Sequence, residues 1–494
     1  MRLVSIILVS LISEPEGVPM FIGRESELQA LDRMYRKPGF QMAVIYGRRR
    51  VGKTALIDRF VRDKPVLYFT AQQKSSMLNL QAFSSAIHDF FDDPMGSAPF
   101  TSWDAALSYL AKRSSDFDSS HDKPMVIVFD EFPYAVETEP ALPSALQIVI
   151  DHEFNSGQTK MILCGSNEGF MESEVLGRKS PLYGRRTMQL RVRPFDYLDA
   201  ARMLPGTAPM ELMTYYATFG GTPYYLSQID PAASYETNVR ELVFDTAGML
   251  YEEPLMLLRE ELREPALYNS VLDAIGGGAT TSTRIAEKSG VGTSSISKYL
   301  KTLLELGLIR REVPFGMNLA TSKRGIYEFE DPFFSYWYHF VSKYVGLIEA
   351  GLGEGTARRA SGAELSAYVG KVFERVCMQW IYRQARKGEF PFLPTSFGRW
   401  WGPDPSLKEQ VDIDIIVANP DGRTALFGEC KWRKEFNETE AIATLEHRST
   451  LVRGFDHKTY ALFTKHPAGE TTRAKAAQRS DLALITLDDL YKDL

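Results

Sequence analysis

The stretch GRRRVGKT at residues 47–54 decides how this chain is read. It follows the short apolar run QMAVIY (41–46), of strand type, and precedes ALIDRFV (55–61), whose apolar spacing suits a helix. Strand, glycine loop and helix in the form G-x-x-x-x-G-K-[ST] make a cradle for phosphate. Gly47 and Gly52 let the backbone curl so that its N–H groups face phosphate oxygens. Lys53 is placed to reach the β and γ phosphates, the Thr54 hydroxyl can ligate Mg²⁺, and the helix N-terminus adds its positive end. The run Gly47, Arg48, Arg49, Arg50, Val51, Gly52, Lys53, Thr54 and Ala55 is therefore the candidate ATP-binding segment.

Hydrolysis needs carboxylates beside that cradle. MVIVF (125–129) reads as a buried strand ending in Asp130-Glu131, where Asp130 would hold Mg²⁺ through water and Glu131 would polarise the attacking water. TKMILC (159–164) is a third strand and runs into Gly165-Ser166-Asn167. Either Ser166 or Asn167 would sense the γ-phosphate, or both are turn residues. In LYGRRT (182–187), Arg185, with Arg186 behind it, is the candidate arginine finger. A finger acting on another subunit would make the protein a homo-oligomer. FGGTP (219–223) is either a lid touching nucleotide or a helix break.

FIGRESEL, GRRRVGKT, IVFDEF, the Gly-Ser end of the third strand, YGRR and GGTP occur in this order. The set resembles the archaeal-type ATPase family of the AAA+/STAND branch of P-loop NTPases, over about residues 20–250. The resemblance implies an ASCE-type sheet, with one strand between those that carry the loop and Asp130. It also implies that residues 21–27 lie near the adenine, with Gly23, Arg24 and Glu27 matching the family pattern.

A second pattern begins at residue 265. Helical spacing over 265–275, a short helix over 282–289, a turn at Gly290-Val291-Gly292 and a third helix over 293–306 with Thr293 as N-cap predict a helix-turn-helix. Alternating runs at 308–313 and 325–329 supply a wing. Residues 279–325 hold eight basic and three acidic side chains, which favours DNA as a partner. Ser294, Ser295, Ser297, Lys298 and Lys301 are the candidate DNA contacts on the third helix. The aromatic run YEFEDPFFSYWYHFV (327–341) reads as packed core, and the glycine-rich 350–362 as a mobile segment.

In the last third, QVDIDIIVA (410–418) and TALFGECKW (424–432) flank an Asn-Pro-Asp-Gly turn and read as a hairpin. Period-2 alternation puts Asp412 and Asp414 on one face of the first strand, and Glu429 and Lys431 on one face of the second, with Cys430 opposite. Asp414 and Glu429 could ligate a metal while Lys431 orients or deprotonates water for phosphodiester attack, with Glu374 helping from a preceding helix. This constellation resembles the PD-(D/E)xK restriction-endonuclease-like superfamily, with Ile413 in place of the proline. It is also similar to the C-terminal domain of unknown function that accompanies the ATPase family.

The expected fold class is α/β: a P-loop ASCE-type parallel-sheet ATPase core with a helical lid, a winged helix and a C-terminal restriction-endonuclease-like domain. The expected boundaries are 20–190 for the core, 191–255 for the lid, 256–330 for the winged helix, 331–364 for a linker and 365–494 for the last domain. The composition agrees: 494 residues, 44% apolar and 24% charged, are typical of globular chains and long enough for roughly three domains. A net charge of −6 excludes a basic nucleic-acid coat protein. Three cysteines fit a reducing compartment, the cytoplasm. The apolar run at 3–12 falls short of the about 20 residues that span a membrane, so stable membrane insertion is not expected. Residues 1–19 are expected to be a non-native or unstructured extension, with translation beginning at Met20.

Overall fold

The computed structural model describes residues 21–94 and 98–494, so the expectations for 1–19 and Met20 lie outside the described residues. The chain divides into two compact units, 1–193 and 194–494.

The first unit is built on a five-stranded sheet of β1 (Gln41–Tyr46), β2 (Val66–Thr70), β3 (Val126–Asp130), β4 (Lys160–Gly165) and β5 (Met188–Arg191). Its order is β2-β3-β4-β1-β5, and every pairing is parallel. β4 thus lies between the strand that carries the phosphate loop and the strand that carries Asp130. The strands are apolar on both faces because helices cover both. Ile127 and Phe129 of β3 enter a core with Phe69, Phe83 and Trp103, while Val126 and Val128 enter another with Leu31, Ile57 and Phe60. The ends of β1, β3 and β4 carry the glycine loop, Asp130-Glu131 and Ser166. These are the carboxyl ends of parallel strands, where open α/β sheets bind ligands.

In the second unit, helices over 197–261 lead into the winged helix. Its helices are Pro265–Gly276, Ser282–Ser289 and Ile296–Glu305, and its wing is the antiparallel pair β6 (Ile309–Glu312) and β7 (Ile326–Phe329). The third helix starts at Ile296, not at Thr293; residues 293–295 form a turn in which the Ser295 N–H donates to Gly292 O at 2.9 Å. Thr-Ser-Ser is a run of weak helix formers whose side chains compete for backbone groups.

The aromatic run is core, as its composition implies: Phe333, Phe334, Tyr336, Trp337, Tyr338 and Phe340 are buried. The glycine-rich segment, expected to be mobile, instead contains the helix Gly353–Ala360, with Thr356, Ala357 and Ala360 buried. Gly353 serves close approach, since a Cβ there would stand 2.0 Å from Phe244 O.

The long helix Ala363–Lys387 then covers a mixed sheet of β8 (Ser396–Asp404), β9 (Glu409–Asn419), β10 (Thr424–Lys431), β11 (His457–Thr464) and β12 (Leu482–Thr486). The order is β12-β11-β10-β9-β8; β8–β9 and β9–β10 are antiparallel, the remaining pairs parallel. The helix Glu438–Ser449 packs on the strands and places Leu445 in a smaller core with Ile413, Ile416 and Phe427.

FGGTP is a helix break. Gly220, at φ 67°, closes the helix Pro209–Phe219, and Pro223 opens the next. Gly221 O accepts from Phe195 N at 2.7 Å, and a Cβ on Gly221 would lie 1.8 Å from Phe195 O. Gly221→Ala is expected to destabilise this unit by about 3 kcal/mol, the upper range for overpacking. Thermal unfolding of the variant beside wild type checks it.

Candidate functional site

The phosphate loop is held by conformations that its sequence permits. Gly47, Arg50 and Gly52 have φ of 155°, 70° and 88°. A Cβ on Gly47 would stand 2.3 Å from Val192 O, so no other residue fits there without backbone movement. Lys53, the first residue of the helix Lys53–Val61, is buried, and its Nζ donates to Gly47 O at 2.8 Å and Arg48 O at 3.1 Å. The loop is thereby wrapped around an ammonium. Arg24 braces it from outside, donating through Nη2 to Val51 O at 3.0 Å and Arg193 O at 2.6 Å, and through Nη1 to Glu27 at 3.2 Å. The role of Arg24 visible here is to fix the loop backbone, an assignment that the FIGRESEL motif alone did not reveal.

The acidic pair lies on the adjoining strand ends. Asp130 Oδ2 is 3.5 Å from Thr54 Oγ1 and accepts from the Tyr68 hydroxyl at 3.1 Å, while Oδ1 accepts from Glu131 N at 3.0 Å. The Tyr68 phenol is raised far above its ordinary pKa by burial and then by the Asp130 charge, so it stays a donor. Glu131 has φ 49°, a left-handed conformation that costs about 1–3 kcal/mol in a residue other than glycine. Its carboxylate accepts from Ser166 Oγ at 2.9 Å and Ser166 N at 3.3 Å. Asn167 does something different: its side chain accepts from Phe170 N and caps the next turn of helix. Sequence reasoning missed Tyr68, because only the strand order reveals that β2 lies beside β3.

Arg185 turns to Asp151, with Nε and Nη2 at 3.0 and 2.7 Å from its two carboxylate oxygens, and Arg186 donates to Leu176 O at 3.1 Å. The Arg49 guanidinium donates to the Tyr134 hydroxyl.

On the winged helix, Ser294, Ser295, Ser297, Lys298 and Lys301 are all exposed. Lys298 and Lys301 make only loose contacts, 3.5 Å to Glu264 and 3.6 Å to Glu305. In the wing, Arg310 is ion-paired with Glu312 and Glu328, Arg311 donates to Leu319 O and Ser322 O, and Arg324 donates to Trp401 O. Arg311 and Arg324 keep their charge, since carbonyls do not neutralise it, and Lys323 is exposed.

The hairpin β9–β10 forms as expected. Its last pair is Gly428–Ile415, so Asp414 and Glu429 are the next residues along the two strands. Asp414 Oδ2 accepts from Cys430 N at 2.8 Å, and Lys431 Nζ pairs with the buried Glu429. Burial first, then the charges of Glu374 and Glu429, push Asp414 well above the usual carboxylate range. Glu374, on the helix Ala363–Lys387, is pushed up to about 7, chiefly by burial; Arg399 opposes the rise, and Asp412, Glu328 and Glu429 add to it. The Cys430 thiol packs against the core that contains Cys377, and burial raises both thiols. Among the described residues no group of three or more His, Cys, Asp or Glu is arranged to hold a metal.

A glycine loop wrapped on a buried lysine, beside a strand-end Asp-Glu pair on a parallel sheet, defines a nucleotide-binding P-loop domain. Residues 21–229 match the family described as an ATPase domain predominantly from Archaea, and the chain carries an archaeal-type ATPase domain. Residues 270–313 match the IclR helix-turn-helix domain, and 337–442 a family of archaeal and bacterial proteins of unknown function. An uncharacterized protein of Methanocaldococcus jannaschii is 29% identical over 475 residues, 95% of this chain and the whole of the relative. An uncharacterized ATP-binding protein of the same organism is 42% identical over 50 residues, 10% of this chain and 85% of that one. Among solved structures, a Walker-type ATPase of Pyrococcus abyssi matches at 18% identity and TM-score 0.47, covering 64% of this chain and 96% of that one. The ORC2 protein of Aeropyrum pernix matches at 14% identity and TM-score 0.40, covering 69% and 97%.

The raised carboxyl of Glu374 has a consequence for stability. It keeps its proton in the folded state up to about pH 7, whereas the unfolded chain loses it near 4.5. Its contribution therefore falls as pH rises from about 4.5 to 7. Glu374→Gln is expected to be nearly neutral at pH 4.5 and stabilising at pH 8, by on the order of 2 kcal/mol. Urea unfolding at both pH values, in chelator, measures this.

Proposed function

We propose that this protein hydrolyses ATP and couples its nucleotide state to DNA binding by the winged helix. One observation carries the ATPase reading: Lys53, Thr54, Asp130, Glu131 and Ser166 converge at the ends of three adjacent parallel strands. Two loop carbonyls compensate the Lys53 ammonium. ATP replaces them, and Lys53 then balances charge on the β and γ phosphates while the loop N–H groups hold their oxygens. Gly23 and Arg24 would lie near the adenine, with Arg24 bracing the loop at Val51 O. Thr54 and Asp130 fit Mg²⁺, since their oxygens are adjacent and Asp130 keeps acceptor capacity. Bound there, Mg²⁺ supplies positive charge against the developing phosphate charge. Glu131, freed from Ser166, orients water in line with the γ-phosphate. Arg185 completes the site of a neighbouring copy in a homo-oligomer, which requires the Asp151 pair to open.

The bond between Ser166 and Glu131 favours a second reading as a nucleotide-gated switch, in which the base stays parked until nucleotide arrives and hydrolysis only resets the conformation. For the C-terminal sheet we propose metal-dependent cleavage of DNA. Asp414 and Glu429 fit a hard divalent cation, Mg²⁺, as paired oxygen donors, and Lys431 holds the attacking water. The facing carboxylates of the hairpin carry this part of the reading.

Lys53→Ala is expected to abolish ATP binding. Glu131→Gln should retain it while lowering kcat by about 10²-fold, the size of a general-base contribution. Nucleotide titration together with phosphate release distinguishes the two, and a Glu131→Gln variant of unchanged kcat would remove that residue from the mechanism. Plasmid and single-stranded DNA incubated with Mg²⁺ or Mn²⁺ test the second site. Wild type should cleave and Lys431→Ala should not; intact ATP hydrolysis without any cleavage would leave the switch.

A further inference from the structure

The wing does not stand away from the body of its unit. The Phe315 N–H donates to Arg399 O at 2.8 Å, Arg324 Nη2 donates to Trp401 O at 2.8 Å, and the Phe315 ring lies over Gly398 of β8. Arg375 of the long helix donates to Phe329 O at 3.0 Å and Glu330 O at 2.6 Å. At the centre of this contact is Arg399. Its Nη1 is 3.4 Å from Glu328 and 3.8 Å from Glu312, both on the wing, and its Nη2 is 4.0 Å from Asp412, one alternation from Asp414 on the same face. A single guanidinium is therefore divided between the wing and the carboxylates of the C-terminal hairpin.

We infer that Arg399 is a positioning residue shared by the wing and the C-terminal carboxylate site, and that the docked wing closes this site to nucleic-acid phosphate until the wing is displaced. This rests on the reading of that site and of the winged helix given above. Two arguments support it. The first is competition for one cation: Glu328 and Glu312 of the wing occupy the Arg399 guanidinium that a phosphodiester would meet. The second is the quality of the contact. At Arg399 the wing is met by one long hydrogen bond, to Glu328, and one ion-pair contact of 3.8 Å, to Glu312, and Arg399 Nε and Glu312 Oε2 are buried with no hydrogen-bond partner. Half-satisfied charges of this kind do not recover their desolvation in full, so this ionic part is weaker than the hydrogen bonds of Phe315, Arg324 and Arg375 beside it. A backbone phosphate offers Arg399 a close bidentate partner, which carboxylates at 3.4 to 4.0 Å do not. Nucleic acid engaged by the winged helix thus competes the latch open and leaves Arg399 facing the site.

The test uses the full chain with Glu312→Gln and Glu328→Gln combined, which removes the two carboxylates that Arg399 shares with Arg310 and keeps their shape. Hydrogen exchange of residues 309–329 is expected to rise about 10-fold, and affinity for a 20-base-pair duplex at fixed salt to tighten about 10-fold. Wild type that binds duplex while the variant shows unchanged exchange overturns the latch, whether or not affinity changes, since added charge alone would then account for tighter binding. Duplex binding by neither protein overturns the nucleic-acid reading itself, and the proposal with it. Arg399→Gln cuts the same latch from the other side and is expected to speed wing exchange equally, which keeps the test decisive if the double variant does not fold.

Discussion

A buried ammonium organises the first unit. Lys53 sits inside the loop that precedes it, and a charge in that position must be met by oxygen atoms or its desolvation is uncompensated. The backbone carbonyls of Gly47 and Arg48 meet it, and only because the loop turns through left-handed and extended glycine conformations. Those conformations require Val192 O to pass where a Cβ of residue 47 would be. They also require Arg24 to tie Val51 to Arg193. The constraint therefore reaches from the start of the described chain to the end of the sheet. The loop's shape is thus fixed by its own chain, through Lys53, Val192 and Arg24.

The same economy of charge recurs at the strand ends. Asp130 is surrounded by donors from Thr54, Tyr68 and its own neighbour's N–H, and Glu131 is held by Ser166. Each carboxylate is thus fixed by a residue from an adjacent strand or loop, so the chemistry depends on the order β2-β3-β4-β1. A different strand order with identical sequence motifs would not bring Tyr68 to Asp130 or Ser166 to Glu131.

That dependence explains what could be read from the sequence. The phosphate loop, the strand before it, the Asp-Glu pair and the β9–β10 hairpin were legible because their signals are local: spacing, period and turn chemistry. That the hairpin brings Asp414 to the end of β10, where it accepts from Cys430 N, followed from the short turn between the strands. Partners from distant segments were not legible. Nothing around Tyr68 marks it as a neighbour of Asp130, and nothing around Arg310, Arg311 and Arg324 marks Glu328, Leu319 O and Trp401 O as their partners. The glycine-rich segment failed for a related reason. Glycine permits both mobility and close packing, and only the neighbouring Phe244 backbone shows that Gly353 serves the second.

Within residues 194–494 the elements do not pack as separate bodies. One apolar core runs from Phe195 to Tyr491, joining the helices after residue 194, the winged helix, the aromatic run and the inner face of the C-terminal sheet. Polar ties reinforce it: the Tyr197 hydroxyl donates to Leu490 O at 2.6 Å, Tyr368 to Pro332 O at 3.0 Å, and Arg383 forks onto Asp196. Separating these elements would expose large aromatic side chains, each worth several kcal/mol, roughly 3–5 on truncation. The wing tip is different. Residues 316–324 are largely exposed, and carbonyls and ion pairs at the edge of β8 fasten the segment more than apolar burial does. Local opening follows the weakest burial, so motion in this unit is concentrated where charge, and not packing, makes the contact. A polyanion acts on charge, which makes the wing tip the element through which nucleic acid can alter an otherwise continuous core.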